Sequence, residues 1–372
     1  MLIDPIVIDV FSGVGGLSLG AARAGFKVAA AVELDERVLA THKINFPDSA
    51  HLCKDVGLLS AEDLLTNLSL RPGAIHGLIG GPPCQGFSHI GRRVSDDPRN
   101  SLFGSFFRLV AQLRPAFFLA ENVPGLLADR NAQTRLDALS TVPKDYRLLQ
   151  PIEVKASDYG APTTRTRVFF IGYDPTRVDA MTETDFLPMP TTDDVRVGDA
   201  LHNLPRLRAH WATDKESWRS VGELGESYFE QRIKDFVPAT VGNEDAIRLY
   251  RSKRLASGFL GTIHTPEIIE RFSMLRFGEV DAVSKGIRLD PAGYCPTLRA
   301  GTGPERGSYQ AVRPIHPRSP RVINPREAAR LQGFPDWFQF HPTKWHAFRQ
   351  IGNSVSPIVA EALLRVIRSR LA

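Results

Sequence analysis

One cysteine of the chain stands in a segment rich in glycine and proline, residues 80–88, directly after the apolar run 75–79. Two glycines and two prolines stiffen the chain before Cys84 more than an ordinary surface turn requires. We interpret the apolar run as a buried strand, which places Cys84 at the carboxyl edge of a sheet, where ligands bind in open α/β folds. This position favours a nucleophile over a structural thiol, provided that the site supplies positive charge or accepts the thiol proton.

A second chemical feature is the glycine-rich stretch 9–17, which follows the apolar run 6–10 and opens a helical pattern. Glycines at such a turn let the backbone approach a ligand closely. Glu33, 20 residues after Gly13, ends the next apolar run, where a carboxylate can accept hydrogen bonds from ribose hydroxyls. These residues fit a nicotinamide cofactor as well as an adenosyl one, and a plain strand–helix turn is the alternative.

The elements that must position these residues alternate along the first half of the chain. The predicted strands are 6–10, 28–32, 75–79, 116–120 and 167–172, and the predicted helices are 17–24, 36–45 and 102–113. Apolar strands separated by helices indicate an α/β fold with a parallel sheet covered on both faces.

The character of the sequence changes after Gly172. Residues 174–345 carry many prolines, irregular spacing and basic residues among aromatic ones, which predicts a second, less regular domain. A helical period returns over 356–371, and this last helix can pack back on the first sheet, which would make the first domain discontinuous.

Composition limits the class of protein. With 372 residues, 42% hydrophobic and 23% charged, the chain is expected to form two soluble domains, and its net charge of +5 is compatible with a polyanionic partner. Three distant cysteines, Cys53, Cys84 and Cys295, indicate neither a disulfide framework nor a metal site. No apolar run predicts a membrane span or a signal peptide, so we expect a cytoplasmic, nucleoid-associated monomer without a metal.

Several motifs in a fixed order resemble those of the DNA cytosine-5 methyltransferase family. They are the Pro-Cys dipeptide ending at Cys84, the Glu-Asn-Val run 121–123, the paired arginines Arg165 and Arg167, the block 326–335 and the terminal motif 352–357. Together they span about residues 6 to 365. The resemblance implies an S-adenosylmethionine-dependent methyltransferase with a Rossmann-like sheet and a smaller, irregular target-recognition domain. The expected division is a catalytic domain at 1–178 plus 345–372, and a target-recognition domain with a hinge at 179–344.

The resemblance also implies roles for four residues. The Cys84 thiolate would attack carbon 6 of a flipped cytosine, and Glu121 would bind the ring nitrogen at position 3 and the exocyclic amine. Arg165 would contact the oxygen on carbon 2, and Arg167 would position the catalytic loop or the glutamate. Without the resemblance, Glu121 can be an acid at a helix N-terminus and the arginines can be strand-edge residues.

The methyl donor implied by the resemblance is S-adenosylmethionine. Phe11 would lie near the adenine, Glu33 at the ribose and Asp55 at the adenine amine. The full set of implied cofactor residues is Phe11, Gly13, Gly15, Leu17, Glu33, Leu34, Asp55, Val56, Pro83, Leu102, Asn353 and Val355.

The implied partner is duplex DNA, whose target base must leave the stack before Cys84 can reach it. A loop over 88–100 is expected to close over the base, and the candidate contacts in and near it are Ser88, Arg92, Arg93 and Arg99. Arg299 is a further candidate, with a hinge role as its alternative, and 88–100 can equally be an ordinary charged surface loop. The sequence leaves open the target site and whether a restriction endonuclease acts on the same site.

Two positions depart from the family's pattern. Lys54 stands where glycine usually precedes the adenine-binding aspartate, and Thr163 stands where glutamine usually precedes the paired arginines. Neither departure touches Cys84 or Glu121.

Three other functions fit part of the sequence. A tRNA cytosine methyltransferase would share the motifs, but a recognition region as long as 174–300 favours DNA. A DNA-binding module without activity is disfavoured by the intact Cys84, Glu121 and Arg165. An NAD-dependent oxidoreductase would explain the glycine turn and Glu33 but not the Pro-Pro-Cys loop.

Overall fold

The strands and helices below come from a computed structural model, which describes residues 4–83, 100–189, 193–207, 217–234, 236–301 and 311–371. The strands are β1 (Ile6–Val10), β2 (Lys27–Glu33), β3 (Ala50–Cys53), β4 (Gly77–Gly80), β5 (Phe117–Asn122), β6 (Arg147–Leu148), β7 (Ile152–Lys155), β8 (Thr166–Tyr173), β9 (Arg219–Ser220) and β10 (Leu255–Ala256). The helices are α1 (Gly16–Arg23), α2 (Glu36–Asn45), α3 (Ala61–Leu68), α4 (Asn100–Leu113), α5 (Ala132–Ser140), α6 (Val197–Leu201), α7 (Tyr228–Lys234), α8 (Glu244–Lys253), α9 (Pro266–Met274), α10 (Pro325–Leu331), α11 (Lys344–Asn353) and α12 (Pro357–Arg370).

One mixed sheet organises the first half of the chain. Its strand order is β3-β2-β1-β4-β5-β8-β6, and β7 pairs with β8. The first five strands pair in parallel, whereas β8 runs antiparallel to β5, β6 and β7. The expected wholly parallel sheet is therefore wrong beyond β5. The connection 156–165 between β7 and β8 is too short for the crossover helix that parallel neighbours need.

The predicted strands and helices of this unit are present, with bounds shifted by one to three residues at most ends. The strand β3 and the helix α3 were not predicted. The four residues of β3, Ala-His-Leu-Cys, lie at the sheet's edge and are only partly buried, so they lack the continuous apolar run that marks the inner strands.

The last helix packs on the first one. An ideal Cβ added to Gly20 of α1 would lie 2.3 Å from the Cβ of Ala360 in α12, and one added to Gly16 would lie 2.3 Å from the carbonyl oxygen of Val355. Only residues without a side chain allow this separation. The prediction that the C-terminal helix returns to the first sheet is thereby confirmed.

The remaining described residues are mostly irregular, with short helices and the two-residue strands β9 and β10. The exact division between 178 and 179 and between 344 and 345 stays a prediction. No helix in the described ranges is long and apolar enough to cross a membrane.

The contact between α1 and α12 gives a stability prediction. Gly20→Ala should lower the free energy of unfolding by about 1–3 kcal/mol, because the new methyl group overlaps Ala360 and the backbone nitrogen of Glu361. Gly104→Ala in α4 is the matched control, since an added Cβ meets nothing within 4 Å there and a helical alanine should stabilise by up to about 1 kcal/mol. Urea unfolding that gives both variants the same stability would contradict the packing argument.

Candidate functional site

The glycine turn after β1 is joined to the end of β2. The Gly13 amide donates to Oε2 of Glu33 at 3.1 Å, and the amides of Leu34 and Asp35 donate to Oε1 at 2.8 and 3.0 Å. Gly13 has a φ of +56°, and an added Cβ would meet nothing within 4 Å, so space lies open above the turn. Burial raises the pKa of Glu33, although the three backbone donors oppose this. The carboxylate keeps acceptor capacity for ribose hydroxyls.

Two rings lie directly under the same turn. His42 and Phe46 stack with their centroids 4.3 Å apart. A Cβ added to Gly15, whose φ is +99°, would lie 2.4 Å from the Phe46 ring and 3.1 Å from the His42 ring. Gly15 is therefore required both by its backbone conformation and by this contact.

A buried hydrogen-bonded chain continues from His42. The Ser18 hydroxyl lies 2.6 Å from Oδ2 of Asp9 and 3.0 Å from Nε2 of His42, and Nδ1 of His42 lies 2.9 Å from Nε2 of His51. Burial raises the pKa of Asp9 to about 7, and burial holds the pKa of His42 well below its ordinary value. This network was not predicted from the sequence, because polar contacts beneath a turn leave no periodic pattern.

The adenine side of the expected cofactor site lies at the next strand along the edge. Oδ1 of Asp55, just after β3, accepts from the Gly57 amide at 2.8 Å, and the side chain of Leu102 lies against Gly57. Val56 is buried beside them. Lys54 is exposed, so the departure at this position points its side chain away from the protein interior.

Most of the expected cofactor residues thus lie at the carboxyl edges of β1, β2 and β3. Phe11, with a φ of +58°, directly follows β1. Leu34, at the end of β2, is an apolar residue with 65% of its surface exposed, which is compatible with a ligand-binding role. Leu17 and Val355 are buried, Val355 against Gly16, and Asn353 is exposed two residues earlier. Each implied residue keeps its role as a prediction.

The Pro-Pro-Cys loop begins beside the end of β5. Oε2 of Glu121 would lie 3.2 Å from a Cβ added to Gly81, and the side-chain Nδ2 of Asn122 donates to the Pro82 carbonyl at 3.4 Å. Pro83 is the last described residue of this loop. The expected nucleophile Cys84 and the expected DNA contacts Ser88, Arg92, Arg93 and Arg99 lie outside the described residues.

The two paired arginines occupy different surroundings. Nε of Arg167 lies 2.7 Å from Oε1 of Glu121, an ion pair that is mostly shielded from solvent. Arg165 is 3% exposed, and its Nη1 donates to the carbonyl oxygens of Leu298 and Gly352 at 3.3 and 3.0 Å. Arg167 therefore faces the carboxylate, while Arg165 joins three distant segments of the chain.

The departure at Thr163 has a structural account. Thr163 is fully buried, its backbone forms a bridge with Cys295, and its Oγ1 accepts from the Arg165 amide at 3.3 Å. The Thr164 amide also donates to the Cys295 carbonyl at 2.9 Å. Burial raises the pKa of the Cys295 thiol, which therefore stays protonated. Backbone pairing with Cys295 thus fixes the position of Thr163 and Thr164. No residue spacing in the sequence predicts this contact.

The backbone of Arg299 packs against the end of α11. A Cβ added to Gly352 would lie 2.7 Å from the Ala300 amide nitrogen, so the backbone of 299–300 rests directly on Gly352. The Arg299 side chain is exposed, which suits either expected role. Among the described residues, no group of His, Cys, Asp and Glu side chains is arranged to hold a metal ion.

The pKa of Asp9 gives a pH prediction. It is about 7 in the folded protein against 3.8 for an ordinary aspartate, so ionisation of Asp9 costs stability as the pH rises from about 4 to about 7. Asp9→Asn removes this loss. Its free energy of unfolding should gain a few kcal/mol relative to the wild type between about pH 5 and pH 8. Urea unfolding at both pH values measures this, and a constant difference would mean that Asp9 titrates as in the unfolded chain.

Known proteins resemble the chain along its whole length. A family model described as C-5 cytosine-specific DNA methylase matches residues 6–369. The type II methyltransferase M.XorII of Xanthomonas oryzae is 39% identical over 96% of this chain and 83% of its own length. The type II methyltransferase M1.HphI of Haemophilus parahaemolyticus is 32% identical over 97% of this chain and 86% of its own.

Solved structures agree. A prophage-encoded E. coli protein assigned as a DNA modification methyltransferase has a TM-score of 0.88 and 50% identity, with 98% of this chain and 99% of that one covered. The S. pombe Dnmt2 methyltransferase, at 16% identity and a TM-score of 0.62 over 98% of both chains, shares the fold. The resemblance and the fold class inferred from the sequence are confirmed. The chain belongs to the family of C-5 cytosine-specific DNA methylases.

Proposed function

We propose that this methyltransferase acts on a cytosine flipped out of a specific duplex sequence, through a covalent bond between Cys84 and carbon 6 of the base. The observation that supports the proposal is the position of the Glu121 carboxylate. Its Oε1 pairs with Arg167, and its Oε2 would lie 3.2 Å from a Cβ added to Gly81. This arrangement places a carboxylate beside the loop that leads, through Pro82 and Pro83, to Cys84.

The chemistry follows from the weak nucleophilicity of cytosine at carbon 5. Attack of the Cys84 thiolate on carbon 6 shifts the electrons of the 5,6 double bond through carbons 5 and 4 toward ring nitrogen 3. Protonation of that nitrogen neutralises the negative charge that develops there. Glu121 is the group proposed to supply that proton and to accept a hydrogen bond from the exocyclic amine. Carbon 5 then takes the methyl group, the sulfonium donor leaves as a neutral thioether, and the proton on ring nitrogen 3 returns to Glu121. Loss of the proton on carbon 5 expels the thiolate and restores the double bond.

The site fits the methyl donor that the family uses, which supplies a methyl group on a positively charged sulfur. Glu33 is proposed to hold the ribose hydroxyls, and the exposed Leu34 to pack on the adenine. Asp55 is proposed to accept from the adenine amine, and the open turn at Gly13 to admit the methionine portion. The donor carries no phosphate, which agrees with a turn that presents close backbone without a lysine.

Arg167 is proposed to orient Glu121, since the two side chains already form an ion pair. The contact of Arg165 with the oxygen on carbon 2 of the base stays a prediction. Arg165 also holds the backbone of Leu298 beside that of Gly352. We therefore propose that it fixes the position of the neighbouring Arg299 and Asn353, whichever group contacts the base.

The covalent step predicts a trapped complex. Duplex DNA with 5-fluorocytosine at the target should form an adduct with the wild type that survives denaturing electrophoresis, because fluorine cannot leave as a proton does. Cys84→Ser should form none and should lose methyl transfer while still binding DNA. Cys53→Ser is the matched control at an exposed thiol and should trap like the wild type. A trapped adduct with Cys84→Ser would refute the assignment of the nucleophile.

The target for that duplex comes from bisulfite sequencing of host DNA after expression of the enzyme, which reads substrate, activity and sequence together. Methyl transfer to tRNA but not to duplex DNA would overturn the choice of substrate.

The role of Glu121 predicts a defect in the chemical step. Glu121→Gln retains the shape of the side chain but cannot donate a proton to the ring, so the single-turnover rate should fall by about 100-fold or more. Methyl-donor binding, measured by calorimetry, should change little. Arg167→Lys keeps the charge beside Glu121 and should lose less than Arg167→Gln. Equal rates for Glu121→Gln and the wild type would exclude Glu121 as the acid.

Residues 179–344 are proposed to form the target-recognition domain, with the catalytic domain at 1–178 plus 345–372. The names of the type II relatives support the further proposal that a restriction endonuclease of the same specificity accompanies this enzyme. We propose a monomer that acts on the host nucleoid, and light scattering after size-exclusion chromatography tests the monomer.

A further inference from the structure

A cluster of cations and aromatic rings extends from the site along α11. Arg299, Arg313 and Trp345 line one shallow concavity together with Phe348. The Arg313 guanidinium lies 4.0 Å from the centroid of the Phe348 ring, and that of Arg349 lies 5.5 Å from the Trp345 ring. We call Arg299, Arg313, Trp345 and Arg349 the Trp345 surface.

Further basic groups border this surface. Nζ of Lys344 donates to the Gly261 carbonyl at 2.7 Å and to Oγ1 of Thr262 at 2.9 Å. The pKa of Lys344 is lowered by burial and by the nearby Arg313, and the pKa of His346 by burial and by Arg37 and Arg349. Oδ2 of Asp35 lies 3.9 Å from Nη1 of Arg349, a separation that offsets one charge only in part. Arg313 therefore repels the Lys344 cation, and Arg37 and Arg349 repel a protonated His346.

The surface is fixed relative to the site. Gly352 and Asn353 end the same helix that carries Trp345 and Arg349, and the backbone of Arg299 rests on Gly352. Asn353 follows Trp345 by eight residue steps in the same helix, which corresponds to about 12 Å along the helix axis. A duplex with its target base at the Glu121 end of the sheet would have backbone phosphates within this reach.

We propose that the Trp345 surface binds the sugar-phosphate backbone of the duplex beside the target cytosine. Guanidinium groups suit phosphate oxygens, and rings under them hold them in place and exclude water. Such contacts position the duplex without reading its sequence. A polyanion also relieves the repulsion among the cations. The proposal rests on duplex DNA as the substrate but not on the Cys84 mechanism.

Equilibrium binding tests the proposal, because it requires no turnover. Arg349→Gln and Arg313→Gln together should weaken binding of a fluorescent mixed-sequence 20-base-pair duplex by about 10-fold or more at 0.1 M salt. The slope of log affinity against log salt should fall by about 2. Arg349→Lys keeps its charge and should keep most of the slope, whereas Arg349→Gln alone should lose about 1.

The matched control removes two exposed charges at the opposite edge of the sheet. Arg71 precedes β4, and Lys144 precedes Asp145, which pairs with Arg114 just before β5. Arg71→Gln with Lys144→Gln should therefore leave the slope unchanged. Calorimetric binding of S-adenosylmethionine to each variant verifies the fold. An unchanged slope in Arg349→Gln and in the double variant would overturn the proposal. A loss of tRNA binding without a loss of duplex binding would overturn it as well.

Discussion

The close approach of the first helix to the C-terminal segment is the constraint on which the site depends. Gly16 lies against the Val355 carbonyl and Gly20 against Ala360, with no room for a β-carbon at either contact. The turn that begins α1 and the turn that ends α11 are therefore held at one edge of the sheet. Residues more than 300 positions apart, such as Glu33 and Asn353, can then face one ligand. The C-terminal segment is thus packed on the first helix of the sheet unit.

A second constraint joins that edge to the rest of the protein. Arg165 lies before β8, and its guanidinium is shared between the carbonyls of Leu298 and Gly352. A buried cation needs such acceptors, because desolvation would otherwise make it costly. The Arg165 side chain thus holds together the start of β8, the segment that carries Arg299 and the turn that carries Asn353. Arg167, inside β8, pairs with Glu121 instead, so the two arginines have different partners although they are only two residues apart.

The first half of the fold could be predicted because its strands are continuous apolar runs with glycine turns between them. The antiparallel β8 could not, since direction depends on the length and path of connections and not on apolar pattern. Glu121 lies near the end of β5, most of the expected cofactor residues lie at or just after the ends of β1, β2 and β3, and all of them were predicted by motif. The Asp9–Ser18–His42 chain and the pairing of Thr163 with Cys295 are contacts between distant segments, and they leave no local pattern.

The block 326–335 resembles a motif of the family, and its arginines are internal. Arg326 donates to the carbonyls of Ser257, Pro335 and Phe338, and Arg330 pairs with Asp336 at 2.5 Å, with neither arginine exposed. These contacts join segments within the irregular region and keep both cations inside the protein.

Net charge is for the same reason a poor guide to the DNA-binding surface. The +5 of the whole chain includes several arginines that are buried and paired, while a few on α11 and before it stand together near the site. What attracts a polyanion is the local field, which falls off within about 10 Å at 0.1 M salt. A mildly basic protein can therefore present a strongly basic face, provided that its other cations are neutralised inside. The Trp345 surface is such a basic face, because Arg299 and Arg313 line one concavity there.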